Sequence, residues 1–142
     1  MINNSALNGF RSILSETLEL QGWEMPKPVV DYTVTLLADK LDKNPWLPEP
    51  SFGERYLTIK SVFDAQDLGD TCFFTRAVFP ELGSRHGINS SYYVDLGQGC
   101  YDYVLRINPD PAVKQMRDHF EFIAEVVWTA VRAHGHFRPL WD

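Results

Sequence analysis

The fold turns on residues 71–79, Thr71-Cys72-Phe73-Phe74-Thr75-Arg76-Ala77-Val78-Phe79. Their β-branched and aromatic content suits a buried strand as well as a buried helix. No second strand is available to pair with this one. Helix is therefore the reading, with strand the alternative, and it makes the whole chain all-α.

Just upstream, Gly69-Asp70 interrupts the apolar pattern, so Asp70 is read as the cap of a helix that begins at Thr71. A helix over residues 52–68 precedes it, with Phe52, Tyr56, Ile59 and Phe63 facing inward. Asn44-Pro45-Trp46-Leu47-Pro48-Glu49-Pro50 holds three prolines, which neither a helix interior nor a central strand accepts, so this stretch is an extended connector. Two more helices lie before it. One carries Leu7, Phe10, Leu14 and Leu18 on one face, and the other, running to about Lys43, carries Val30, Val34, Leu37 and Leu41. The turn between them contains Pro26 and Pro28, and Pro28 fits a first helical turn, where a missing N–H costs nothing.

Downstream, residues 80–89 form a loop with Gly83 and Gly87, and Asn89 or Ser90 caps a helix running to about Arg106. Asp95, Gln98, Asp102 and Arg106 make a single polar stripe on it, so most of its circumference is apolar and it belongs at the centre of a bundle. Gly97 and Gly99 each cost about 1 kcal/mol relative to Ala in a helix, which points to close approach by another backbone or a ligand. The last helix has the clearest ends, with Asp110 as cap, Pro111 in the first position and Gly135 as terminator. At 1.5 Å per residue it is roughly 36 Å long, with Met116, Phe120, Ile123, Val127 and Ala130 as its core face. Residues 1–142 thus read as a single helical domain, a compact bundle of five to six helices with a long C-terminal helix.

Composition narrows the function. A formal charge of -6 with no cluster of Lys and Arg repels phosphate backbones and anionic lipid, so neither nucleic acid nor membrane is expected as a partner. No segment has a signal-peptide pattern or approaches a membrane span, which makes cytoplasmic the default location. Cys72 and Cys100 sit in apolar surroundings and suit buried free thiols, with a single bridge between them as the alternative.

Motifs for chemistry are scarce. No His has Glu three residues before it, so the di-iron bundle pattern is missing, and no His-Glu-x-x-His or paired-Cys zinc pattern occurs. His134-Gly135-His136 sits at a helix end, where His134 suits the C-terminal dipole. Glu16-x-x-Glu19 and Asp39-x-x-Asp42 resemble the acidic pairs of all-helical nucleotide pyrophosphohydrolases. An antiparallel hairpin turning near Glu24 would set the two pairs roughly 13 Å out of step, too far for one ion. Asp64-x-x-Asp67-x-x-Asp70 lacks the spacing of a calcium loop, so Asp70 is read as a cap and the other two as exposed. No metal, no cofactor and no catalytic residue is assigned.

Two places remain. Arg85, His86, Ser90, Tyr92 and Tyr93 gather cationic and hydroxyl groups at a helix start, where free N–H groups and the dipole suit a small anionic ligand. Trp128 falls within the polar stripe of the last helix, and Phe137, Leu140 and Trp141 follow in the tail. Together they are candidates for an interface with a protein partner or a second copy in a homodimer, unless the tail folds back over Trp128. The expectation is a non-enzymatic protein-interaction or small-ligand-binding domain. The alternative is an enzyme acting on a small anionic substrate at the Arg85–Tyr93 helix start, with His86 as acid or base.

Overall fold

The computed structural model describes residues 4–43, 52–80 and 90–134. Among them are seven helices and no strand: α1 Asn4–Gln21, α2 Lys27–Lys43, α3 Phe52–Leu57, α4 Val62–Val78, α5 Ser90–Ile107, α6 Pro111–Asp118 and α7 Phe120–His134. The chain is an all-α bundle. No described helix is long and apolar enough to cross a membrane.

Residues 71–78 are helical, and the helix that holds them starts earlier than the apolar pattern implies. Ser61 is its cap, with its hydroxyl accepting from the Asp64 N–H at 3.1 Å, and α4 passes straight through Gly69-Asp70. Asp70 is therefore no cap. Gly69 is spent on packing: a Cβ there would stand 2.9 Å from the Tyr101 ring and 3.1 Å from the Cys100 Cβ. Thr71 and Thr75 return their hydroxyls to the carbonyls of Asp67 and Thr71, which satisfies both groups inside the core. The expected helix over 52–68 is correspondingly two pieces. The new cap at Ser61 resets the register, so Phe63, expected inside, is 75% exposed.

α4 packs most extensively on α5, and α7 closes over both. The α4–α5 crossing is reciprocal. Gly69 faces Cys100, while a Cβ on Gly97 would lie 3.2 Å from the Cys72 Cβ and 2.6 Å from the Phe120 ring. Phe120 in turn stands edge-on to Phe73 at 5.3 Å, so α4, α5 and α7 meet in one aromatic knot. Met116, Phe120, Ile123, Val127 and Ala130 are all buried, as their spacing implies.

The long terminal helix is interrupted at His119, whose backbone leaves the helical region at φ -121° and ψ 30°. Asp110 caps α6 through the Ala112 and Val113 N–H groups, with Pro111 in the first turn as expected. The break at His119 has an identifiable cause: Gln98 of α5 donates to the Arg117 carbonyl at 2.8 Å, inserting a side chain into the helix hydrogen-bond ladder. At the other end, α1 stops with Gly22 at φ +68°, and the Trp23 N–H returns to the Leu18 carbonyl at 2.9 Å. That turn lets α2 fold back onto α1.

Candidate functional site

Two ion-paired or hydrogen-bonded carboxylates on α4, one turn apart, organise the polar side of the bundle. Asp67 receives the Lys40 ammonium at 2.5 Å on Oδ1 and the Arg55 guanidinium at 3.0 Å on Oδ2. Lys40 is only 3% exposed, so its charge is tolerable there because Asp67 neutralises it. Arg55 comes from α3, which is pinned as well by Phe52 edge-on to Tyr93 at 5.3 Å and by close Tyr56–Gly99 packing. Three helices are thus tied to one carboxylate.

Asp70 is built differently. Tyr32 of α2 and Tyr101 of α5 both donate hydroxyl hydrogen bonds to its Oδ1, at 2.7 and 2.8 Å, and the Gln66 amide donates to the Tyr32 oxygen at 3.0 Å. No Lys or Arg among the described residues lies within ion-pair distance of it, and Oδ2 has no described hydrogen-bond donor. Burial raises the Asp70 carboxyl to about 7, against the opposing pull of the two tyrosine hydrogen bonds and of Lys40, with Asp67 pushing the same way as burial. Burial raises the Tyr32 and Tyr101 hydroxyls too, so both remain donors.

A cavity of about 280 Å³ opens beside this network, lined by Asp39, Phe63, Gln66, Asp67 and Asp70. A second, of about 230 Å³ and lined by Arg55, Thr58, Asp64, Asp67 and Leu68, shares Asp67 with it. Asp64 is exposed, as read from sequence, Asp67 is half-buried and Asp70 is no cap, and with Asp39 these residues supply the acidic side of the two cavities. No group of three or more His, Cys, Asp or Glu among the described residues is arranged to hold a metal ion. A third cavity of about 180 Å³ lies at the α6–α7 junction between Met25, Val29, Phe122 and Ile123, and its ionisable groups Glu24 and His119 are exposed.

The chain matches no protein-family profile, no curated protein and no solved structure.

The candidates named from sequence fare unevenly. Arg85 and His86 lie outside the described residues, as does the Ser90 side chain. Tyr92 is 38% exposed, whereas Tyr93 is buried against Phe52 and belongs to the core. Trp128 is 36% exposed, with the Arg132 guanidinium 5.5 Å from its ring centroid, a cation–π contact within the chain. Phe137, Leu140 and Trp141 lie outside the described residues. Cys72 and Cys100 are free and buried, and burial raises both thiols, Cys100 to about 12, which leaves them unreactive packing groups.

Sequence reasoning gave no functional role to Tyr32, Lys40, Arg55 or Tyr101. A signal existed in the three-residue spacing of Asp64, Asp67 and Asp70, which puts carboxylates on one face of a continuous helix. Reading Gly69-Asp70 as a break hid it.

Proposed function

We propose that this chain is a small-ligand-binding helical domain and that its ligand occupies the cavity beside Asp70. One observation carries the reading: a carboxylate fixed by two tyrosine hydroxyls on one oxygen, with no described donor on the other, lines an open cavity between α2 and α4. A helical domain with no binding role has little use for such a group, since even a part-buried carboxylate without a paired charge is costly. Perturbed carboxyls in cavities concentrate at functional sites. At about 280 Å³ the space falls just under the roughly 300 Å³ at which ligand pockets commonly begin, which favours a small molecule. The two buried free thiols support a reducing, cytoplasmic setting.

Native mass spectrometry on protein purified from its own host tests this. Wild-type protein is expected to carry a small-molecule adduct that Asp70→Asn loses and Trp128→Ala keeps. An adduct retained by Asp70→Asn, or none in the wild type, defeats the proposal.

A further inference from the structure

We propose that the ligand is a small organic monocation, an alkylammonium or similar N–H-bearing headgroup that docks on Asp70 in place of a proton, with its apolar body against Phe63. The inference rests on the ligand-binding reading above and names the chemistry of that same cavity.

The two carboxylates differ in how their charge is matched. Asp67 already faces two cations, Lys40 and Arg55, one on each oxygen. Asp70 is hydrogen-bonded only by neutral hydroxyls, and both of them donate to the same oxygen. An ionised Asp70, which also lines the cavity, therefore has its negative charge held by dipoles on one oxygen and by no described donor on the other. A carboxylate so placed satisfies itself by taking a proton or by taking a cation that brings N–H donors.

The cavity walls suit the second. Besides Asp70 they supply two more carboxylates, the Gln66 side chain and the Phe63 ring, and no Lys, Arg or His lines the space among the described residues. Anionic ligands are disfavoured there by like-charge repulsion. A metal ion is not favoured either, because no described trio of ligating side chains converges. Phe63 is the remaining clue. An aromatic ring 75% exposed at a cavity edge offers an apolar contact and a π-face for a cation, which its side chain does not use within the described fold.

The groups facing Asp70 are Tyr32, Asp39 and Lys40 from α2, Gln66 and Asp67 on α4 itself, and Tyr101 from α5, with Arg55 of α3 reaching it through Asp67. Of these, Asp70 is the one raised into the neutral range. Proton and cation then compete for one oxygen, and cation binding strengthens as pH rises through about 7.

Titration with butylammonium, 1-butanol and butyrate, followed by amide NMR shifts around Gln66 and Thr71, tests the class. Butylammonium is expected to bind at this site and about tenfold more tightly at pH 8 than at pH 6, the ratio by which Asp70 ionisation increases across that range. Asp70→Asn is expected to abolish the binding while keeping the wild-type amide pattern elsewhere. Phe63→Ala, at an exposed position that does not threaten folding, is expected to weaken it several-fold. Butanol or butyrate binding as well as butylammonium overturns the cation while leaving the ligand site standing, provided the native adduct still depends on Asp70. Butylammonium binding that ignores pH, or no butylammonium shift at all, also overturns it. Loss of both this binding and the native adduct removes the cavity reading as a whole.

Discussion

Replacing Asp70 by Asn should make the protein more stable, by an amount that grows from about pH 4 to about pH 7. The carboxyl is held at about 7 in the fold against 3.8 when free, so between those values the native state binds a proton that the unfolded chain releases. Unfolding free energy of the wild type therefore falls as pH rises from about 4 and levels off beyond about 7. Three pKa steps at about 1.4 kcal/mol each set a ceiling of about 4 kcal/mol. The cavity admits water, which takes up part of that cost, so about 2–3 kcal/mol is the expected gain for Asp70→Asn at pH 8. The amide oxygen still accepts from Tyr32 and Tyr101, so the substitution removes the charge and leaves the network. In a domain of this size the gain corresponds to a melting temperature higher by about 5–10 °C. Urea denaturation at pH 5 and pH 8 is the assay, with somewhat under half of the difference between variant and wild type present at pH 5 and the full one at pH 8. A difference of equal size at both values, or a variant destabilised at both, would refute the reasoning, because the cost would then lie elsewhere than in a buried charge.

Other expectations follow from the same geometry. Lys40→Met leaves Asp67 its Arg55 partner but takes a cation away from Asp70, so the Asp70 midpoint in a carboxyl NMR titration should move above about 7, and an unchanged or lowered midpoint contradicts the proposed electrostatics. Gly97→Ala drives a methyl to 2.6 Å from a Phe120 ring that is itself locked among Phe73 and Tyr101, so about 1–3 kcal/mol should be lost on chemical denaturation. Gly9→Ala, in open space on α1, should instead gain about 0.5–1 kcal/mol, and equal effects at the two glycines would show that packing is not what Gly97 serves. For the homodimer anticipated from sequence, light scattering at tens of micromolar should give a dimer that Trp128→Ala dissociates, and a wild-type monomer ends that expectation.

Helical periodicity carried most of the fold because it records which side of each helix is buried. The core faces around Phe10, Val34, Tyr101 and Ile123 are legible for that reason. What periodicity does not record is where a helix is interrupted by a contact from elsewhere. Gln98 breaks the last helix at Arg117 from 19 residues away, and no local residue at His119 announces it. Conversely, Gly69 has the look of a local stop and is instead the price of a close crossing with Tyr101 and Cys100. The site suffered most from this. Its parts come from α2, α3, α4 and α5, and each alone is unremarkable: a Lys among charged residues, a Tyr on an apolar face, an Asp after a Gly. Burial between the converging helices is what raises the Asp70 carboxyl, and burial of that kind is a tertiary property.

Gly69 also governs something beyond packing. The Tyr101 ring rests where the Gly69 side chain would be, and from there its hydroxyl reaches the neighbouring Asp70. The closeness of α4 and α5 therefore decides more than how tightly two helices fit: a position without a side chain sets which tyrosine can reach the carboxylate beside it.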